Sequence, residues 1–290
     1  MRKSFLAGAL AAVLSLGAVS AAAQDMTTMP MPGPSPALSG HLEVYGQKVF
    51  QDYWSDGYNT WWGFGGAARV NWWMNPGTSM QFDFAGQRAS DSTDNYYWTG
   101  SLYGAAHISK RTDTYLIGLF GGIAGTSDYE GYTGWDTSIF GGVEGQMYWG
   151  NFTLYGQAGF LKQFAGYYSG IYNLGLPFAQ IEGRYFLTPN TKISANVGIT
   201  TGNIWGYYDP QTTLSYGGEI EHKFSANPVS VFGRVQGFHG SGTYEISGHR
   251  LMVGARLNFG TDSLFTQDRN GATLKVMEDL APIGDFRGFN

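Results

Sequence analysis

The chain has 290 residues, of which 44 are glycine, 16% are aromatic and only 13% are charged. A typical soluble protein has about a quarter charged residues, and the mean hydropathy of −0.20 excludes a bundle of membrane helices. The net charge of −5 is mild and no basic run occurs, which argues against a nucleic-acid partner. The absence of cysteine excludes a disulfide framework, a thiolate metal site and a thiol nucleophile. This composition favours a large antiparallel β protein.

The N-terminus has the pattern of a secretory signal peptide. Arg2 and Lys3 precede an apolar run over residues 5–19, and Ala21 to Ala23 supply the small side chains that a signal peptidase reads. We predict a signal peptide over residues 1–23; the alternative, an uncleaved anchor, requires a longer apolar run. Residues 24–40 are rich in proline, methionine and serine, which predicts an extended periplasmic linker.

Residues 41–259 form a series of segments in which apolar and polar side chains alternate. Each predicted strand has about ten residues, enough for a tilted strand to cross a bilayer. Short turns and longer links alternate between them, which predicts an all-β, transmembrane, antiparallel up-and-down β-barrel of about twelve strands. An even strand count leaves both termini in the periplasm. The segments are 41–50, 61–73, 79–88, 98–108, 115–124, 138–148, 152–161, 178–187, 192–201, 214–224, 229–238 and 250–259.

Aromatic residues cluster where the short turns begin or end. A ring of aromatics at one level is the interfacial girdle of a membrane barrel, whereas a soluble sandwich has no reason to place them at one end. The alternative is that they are ordinary core residues. The predicted girdle consists of Trp72, Trp73, Tyr115, Tyr148, Trp149, Phe152, Tyr185, Phe186, Phe224 and Phe259.

The last predicted strand resembles the closing-strand signal of Gram-negative outer-membrane β-barrel proteins of the porin-like kind. Gly254 lies five residues before the aromatic Phe259, and the hydrophobic Leu257 lies two before it. Met252 departs from the polar residue usual at its position, and residues 260–290 follow the aromatic. The resemblance implies location in the bacterial outer membrane and assembly by the barrel-insertion machinery, which reads Gly254, Leu257 and Phe259. We also expect contact with the lipid bilayer and lipopolysaccharide.

In each predicted strand every second side chain is mostly polar, and these polar side chains are predicted to line the barrel interior. The sequence pairs Arg250 and Arg256 with Glu43 across the closing seam, and Arg234 with Glu219 and Glu221. Such charges are tolerated in a lumen when they are paired or hydrated. The predicted lining charges are Glu43, Arg69, Asp83, Glu144, Glu182, Arg184, Glu219, Glu221, Lys223, Arg234, Arg250 and Arg256.

Three function classes remain open for such a barrel. We predict a porin-like channel for passive diffusion of small hydrophilic solutes, with the lining charges as an electrostatic filter. Twelve strands lie between filled and open barrels, so a closed structural barrel is the first alternative. The second is a lipid-modifying enzyme using His239 or His249 with Ser241 or Ser247 near the outer rim. No pattern supports catalysis, and no metal spacing stands out; we therefore expect neither enzymatic activity nor a cofactor or metal.

Residues 260–290 are predicted to form a periplasmic C-terminal tail. Asp268 to Gly271 has turn character, and residues 274–280 have the composition of a short helix before Pro282. The tail either docks under the barrel mouth or is disordered, and its composition slightly favours disorder.

Overall fold

A computed structural model describes residues 37–53, 57–91, 98–127, 135–165, 176–202, 211–225, 227–241 and 246–276. The predicted signal peptide and almost all of the linker lie outside these residues. Twelve strands are present: β1 (Leu38–Tyr53), β2 (Gly57–Asn75), β3 (Thr78–Asp91), β4 (Trp98–Arg111), β5 (Tyr115–Ser127), β6 (Trp135–Trp149), β7 (Phe152–Ala165), β8 (Leu176–Thr188), β9 (Thr191–Gly202), β10 (Gln211–Lys223), β11 (Val229–Ser241) and β12 (Ile246–Phe259).

The strands form one closed antiparallel barrel in which each strand pairs with its neighbours in sequence and β12 pairs with β1. The predicted fold class and strand number are confirmed. Closure gives every strand two partners, which satisfies the backbone groups that a membrane cannot hydrate. Strands β8 and β9, for example, pair from Thr188 opposite Thr191 to Phe178 opposite Thr200, with one register shift between Phe186 and Thr188.

The strands are longer than the ten residues predicted, from 12 residues in β9 to 19 in β2. Hydrogen-bonded pairing continues past the apolar segment because the backbone groups still need partners. At one end, here called the short-turn end, the connections are residues 76–77, 112–114, 150–151, 189–190 and 224–228. At the other, the loop end, the strands are joined by residues 54–56, 92–97, 128–134, 166–175, 203–210 and 242–245.

The outer surface is an apolar belt. Large hydrophobic side chains project outward along all strands; Val44, Phe64 and Val253 are 66%, 68% and 73% exposed. An apolar surface of this extent is unfavourable in water and matches the acyl chains of a bilayer. Among the described residues, no helix has the length and hydropathy to cross a membrane.

Not all of the predicted aromatic girdle faces outward. Trp72, Tyr115, Trp149, Tyr185 and Phe224 are exposed at the short-turn end. Their sequence neighbours point the other way because side chains alternate along a strand. Phe186 is fully buried and packs edge-on against Phe265, and the indole of Trp73 donates a 2.8 Å hydrogen bond to the carbonyl of Asn270. The prediction of a single outward ring is wrong for these inner aromatics, which contact the C-terminal tail.

The tail folds back into the barrel from the short-turn end. Gly260 turns the chain with a φ of 75°, a left-handed conformation that favours glycine. Ser263 then caps a short helix, α1 (Leu264–Asn270), by accepting a 3.0 Å hydrogen bond from the amide of Thr266. Residues 271–276 continue without helix into the interior, where Leu274 and Val276 are buried. We call residues 261–276 the plug.

This arrangement differs from the sequence-based view of the tail. The predicted turn at Asp268 lies inside α1, and residues 274–276 of the predicted helix are not helical. The slight preference for disorder is wrong for the plug, because its hydrogen-bond partners are distant in sequence and invisible to local composition. Residues 277–290 lie outside the described residues.

Candidate functional site in the barrel interior

Every charged residue that the sequence assigned to the barrel lining points into the interior. All are buried, with 0–8% of each residue exposed. Strand parity explains this placement, since inward and outward side chains alternate as in the burial pattern of β8. The residues are Glu43, Arg69, Asp83, Glu144, Glu182, Arg184, Glu219, Glu221, Lys223, Arg234, Arg250 and Arg256.

The predicted pairing across the closing seam holds for Arg256 and fails for Arg250. The Nε of Arg256 lies 2.6 Å from Oε2 of Glu43, as expected for residues directly opposite in register. Arg250 lies opposite Val49, six positions from Glu43, or about 20 Å along the strand. It donates instead to the side-chain oxygens of Gln236, Gln87 and Gln47. The alternation of side chains shows which face of the strand a residue is on. It does not show how far along the barrel axis the residue lies, and this explains the wrong pairing of Arg250.

Six charged side chains form what we call the charge cluster. Arg256 bridges three carboxylates, reaching Glu219 at 2.8 Å as well as Glu43 and Glu221. Arg234 lies 2.6 Å from Glu219. Three acids balance three bases, which is how buried charges become tolerable. The cluster contains Glu43, Lys192, Glu219, Glu221, Arg234 and Arg256.

Lys192 belongs to the charge cluster but is not among the predicted lining residues. Its Nζ lies 2.8 Å from Glu221 and 3.3 Å from Glu219. The residue is the second of β9, just after a turn, and it was the first residue of the predicted segment. It shares parity with Asn196, which would have identified it as inward-facing.

A second group of interior charges surrounds His107. Its Nδ1 lies 2.8 Å from Glu144 and its Nε2 lies 3.7 Å from Asp83. Asp83 is also 3.3 Å from Arg69, and the hydroxyl of Tyr155 donates to Glu144 at 2.9 Å. These contacts join five strands across the interior and give the histidine a structural position.

The plug contacts the interior wall mainly through polar groups. Asp268 lies 2.8 Å from Arg184 of β8 and accepts a 2.6 Å hydrogen bond from the hydroxyl of Thr153. Lys275 reaches Glu182 at 2.9 Å. Arg111 donates to the carbonyls of Arg269 and Gly271 at 2.5 Å and 3.3 Å, which complements the negative end of a helix.

The environment of Asp268 favours its charged form. Burial alone raises the pKa of a carboxyl group, but the charges of Arg184 and Arg269 and the hydrogen bonds from Thr153 and Arg184 outweigh it. The pKa of Asp268 therefore lies below its ordinary value of 3.8. The plug thus carries a carboxylate that remains ionised at neutral pH.

One wall of the interior is apolar. Inward-facing side chains of β4–β8 form a hydrophobic patch against which the plug residue Val276 packs. The predicted lining contained only charged side chains, so this patch was not expected. The patch consists of Tyr103, Ala105, Phe120, Phe140, Leu161, Leu176 and Phe178.

A cavity that opens to solvent lies along the opposite wall, and we call it the vestibule; its empty space, including the opening, is about 420 Å³. All of its lining residues belong to barrel strands. Its charged lining side chains are Glu43, Arg69, Arg234 and Arg250; the others are Tyr45, Ala67, Ala85, Gly86, Gln87, Ser101, Tyr103 and Met252.

The side chains considered for lipid chemistry lie on the outer wall near the loop end. His239 lies opposite Ser247 in register. The other histidine, His249, is hydrogen-bonded to the hydroxyl of Tyr216 at 3.2 Å. The hydroxyl of Ser241 donates to the carbonyl of Thr212. Within the described ranges no serine–histidine hydrogen bond is formed. In that same part of the chain, no cluster of three His, Cys, Asp or Glu side chains is arranged to hold a metal.

Comparison with known proteins relates the chain to outer-membrane barrels by fold. No family model matches it, and no curated protein matches its sequence. The COG4313 outer membrane channel from Pseudomonas putida F1 is similar in structure over 80% of this chain and 100% of that chain, with a TM-score of 0.58 and 15% identity.

Two further solved structures are less similar to this chain, with lower TM-scores. The translocator domain of the autotransporter NalP from Neisseria meningitidis covers 88% of this chain and 95% of its own, with 15% identity and a TM-score of 0.47. The KdgM porin covers 75% and 99%, with 10% identity and a TM-score of 0.45. The closed barrel and its apolar belt are those of a bacterial outer-membrane β-barrel protein, and the outer membrane is where this chain resides.

Proposed function

We propose that this protein is a porin-like channel through which small hydrophilic solutes diffuse passively, and that the plug controls its opening. The observation that carries the proposal is the attachment of the plug. Its described residues, 261–276, follow β12 through Gly260 and contact the interior wall without pairing with any strand, so the plug can leave while the strand pairing stays intact. Its fold is shared with a protein described as an outer-membrane channel.

The interior wall supports the same conclusion. A permanently filled barrel is served at least as well by apolar packing, because buried ion pairs repay their desolvation only with excellent geometry. Here the charge cluster is held against the wall by contacts among neighbouring strands β1, β9, β10, β11 and β12. The vestibule remains beside it. Once the plug leaves, water hydrates the polar side chains that now face it.

The role assigned to the lining residues is electrostatic. Their charges bias which solutes enter and involve no bond making or breaking, so we propose no enzymatic activity and no cofactor. The exterior contacts the lipid bilayer and lipopolysaccharide, and the barrel-assembly machinery reads Gly254, Leu257 and Phe259 in β12.

A closed structural barrel is the competing function, and the seated plug is the observation that favours it. A single-channel recording in a planar bilayer separates the two. Three refolded chains are compared after a heat-modifiable gel shift has verified folding: the mature chain, the chain ending at Gly260, and a Gln146→Cys/Thr273→Cys chain. These two side chains are 3.0 Å apart, and the natural chain has no cysteine to interfere.

The channel hypothesis predicts brief steps from the mature chain and lasting steps from the truncated chain. A cleavable bifunctional thiol reagent silences the cysteine chain, and a reductant restores its steps. If the truncated chain folds and conducts nothing, the channel is excluded and the protein is a structural barrel.

A further inference from the structure

The vestibule contains the guanidinium group of Arg250, whose hydrogen-bond acceptors among the described residues are all uncharged. Arg250 donates to Gln236 at 3.0 Å through Nε, and through Nη1 to Gln87 at 2.7 Å and Gln47 at 3.5 Å. Nη2 also donates to Gln236. All these acceptors are neutral amides. Within the described part of the chain, no Asp or Glu forms an ion pair with Arg250, although the residue is only 8% exposed.

The other charges at the vestibule do not neutralise this group. Arg234 and Arg69 have carboxylate partners on neighbouring strands, Glu219 and Asp83. The remaining lining charge, Glu43, is 2.6 Å from Arg256. Arg250 is therefore a buried positive charge facing a cavity, which an anion from solution stabilises.

The geometry around Gln87 indicates which anion fits. The side-chain oxygen of Gln87 accepts hydrogen bonds from Arg250 and from the hydroxyl of Tyr45 at 3.2 Å. Gln87 is only partly buried and lines the vestibule. A ligand oxygen that displaces this amide oxygen gains the same two donors. A carboxylate provides two such oxygens in the plane that a guanidinium recognises.

The rest of the lining indicates the body of the ligand. Beside the polar groups lie Ala67, Ala85, Tyr103 and Met252. These side chains offer apolar contacts to a short hydrocarbon body, and binding pockets combine apolar walls with a few polar anchors in this way.

We infer that the vestibule is a binding site for small monocarboxylates with a short apolar body, anchored by Arg250 and Tyr45. The inference deepens the proposed channel function and rests on it only for the passage of the solute. Binding itself requires access to the vestibule and no conductance.

Ligand-observed NMR titration of the full mature chain in detergent micelles tests the site with butyrate. Butyramide, which has nearly the same shape and no charge, is the matched ligand. We expect butyrate to bind at least about tenfold more tightly than butyramide, the ratio typical of a charge-assisted hydrogen bond. Arg250→Gln abolishes this preference and Arg250→Lys retains part of it. The control Lys162→Gln removes an exposed charge from the outer surface of β7 and leaves binding unchanged.

Two results overturn the site: equal affinity for the acid and the amide, or unchanged butyrate binding in the folded Arg250→Gln variant. Absence of butyrate binding while the truncated chain conducts ions also overturns the site and leaves the channel intact. Butyrate binding with a silent truncated chain supports the site and excludes the channel. The two proposals therefore fail in distinguishable ways.

Discussion

Asp268 in the plug and Arg184 in β8 form an ion pair of 2.8 Å between two buried side chains. Thr153 and Thr273 each donate a hydrogen bond to the same carboxylate, at 2.6 Å and 3.0 Å. This junction ties the helix of the plug to the wall and to the residues that follow it. Removing its charge therefore weakens docking of the plug and leaves the strand pairing of the barrel unchanged.

We predict that Asp268→Asn raises the open probability of the full-length channel by about tenfold or more, because it removes charge-assisted hydrogen bonds worth about 1.5–3 kcal/mol. Single-channel recording measures the change. The control is Asp262→Asn, since Asp262 is exposed and contacts Lys223 through its backbone carbonyl. Equal open probabilities for the two variants contradict a role for the Asp268 carboxylate in holding the plug.

The same carboxylate predicts a dependence on acid. Its pKa is lower in the docked plug than its ordinary value of 3.8. The stabilisation is therefore complete above the ordinary value and is lost as the pH falls through the docked value. We expect the open probability to be constant from neutral pH to about 4 and to rise at lower pH.

The Asp268→Asn variant provides the control for this acid response. Its plug lacks the titrating group, so the part of the rise that depends on Asp268 disappears. An acid response identical in both chains assigns the effect to other carboxylates of the interior.

The sequence predicted correctly the features that follow from the alternation of side chains along a strand. The inward position of Asp83 and the outward position of Val253 follow from strand alternation, and short turns such as that after Asn75 fixed the strand order. The predictions failed for contacts that depend on the position of a residue along the barrel axis, or that join segments far apart in the sequence. Arg250 was paired with the wrong strand position, and the partners of Asp268 are 84 and 115 residues away in sequence. No local pattern encodes such contacts.

The charge cluster predicts a large loss of stability on removal of its central cation. Arg256→Gln leaves Glu43, Glu219 and Glu221 with two bases among them. We expect the free energy of unfolding to fall by about 3 kcal/mol, the lower range for breaking a buried ion pair. Urea titration of folding into lipid vesicles measures it.

Two further chains test whether this loss comes from the cluster. Lys110→Gln, at an exposed outer position on β4, is the matched control and should change stability by less than about 0.5 kcal/mol. The double variant Glu219→Gln/Arg256→Gln restores charge balance and should recover part of the loss. An Arg256→Gln chain as stable as the control indicates that water, and not the pairing, stabilises these carboxylates.

Gly254 in the closing strand is required for close packing as well as being part of the predicted assembly signal. A Cβ at this position would lie 2.4 Å from the carbonyl oxygen of Val44 and 2.6 Å from the ring of Phe232. That ring is itself stacked under Arg256, 4.3 Å from the guanidinium carbon. We predict that Gly254→Ala destabilises the barrel by about 1–3 kcal/mol through overpacking.

Gly46 on the neighbouring strand is the matched control for this substitution, because a Cβ there meets nothing within 4 Å. Gly46→Ala should leave the urea midpoint unchanged. Adding Phe232→Leu to Gly254→Ala relieves the contact with the ring and should recover part of the stability. If Gly254→Ala instead folds normally into pure lipid vesicles and is slow only with the barrel-assembly machinery, the glycine acts in recognition and not in packing.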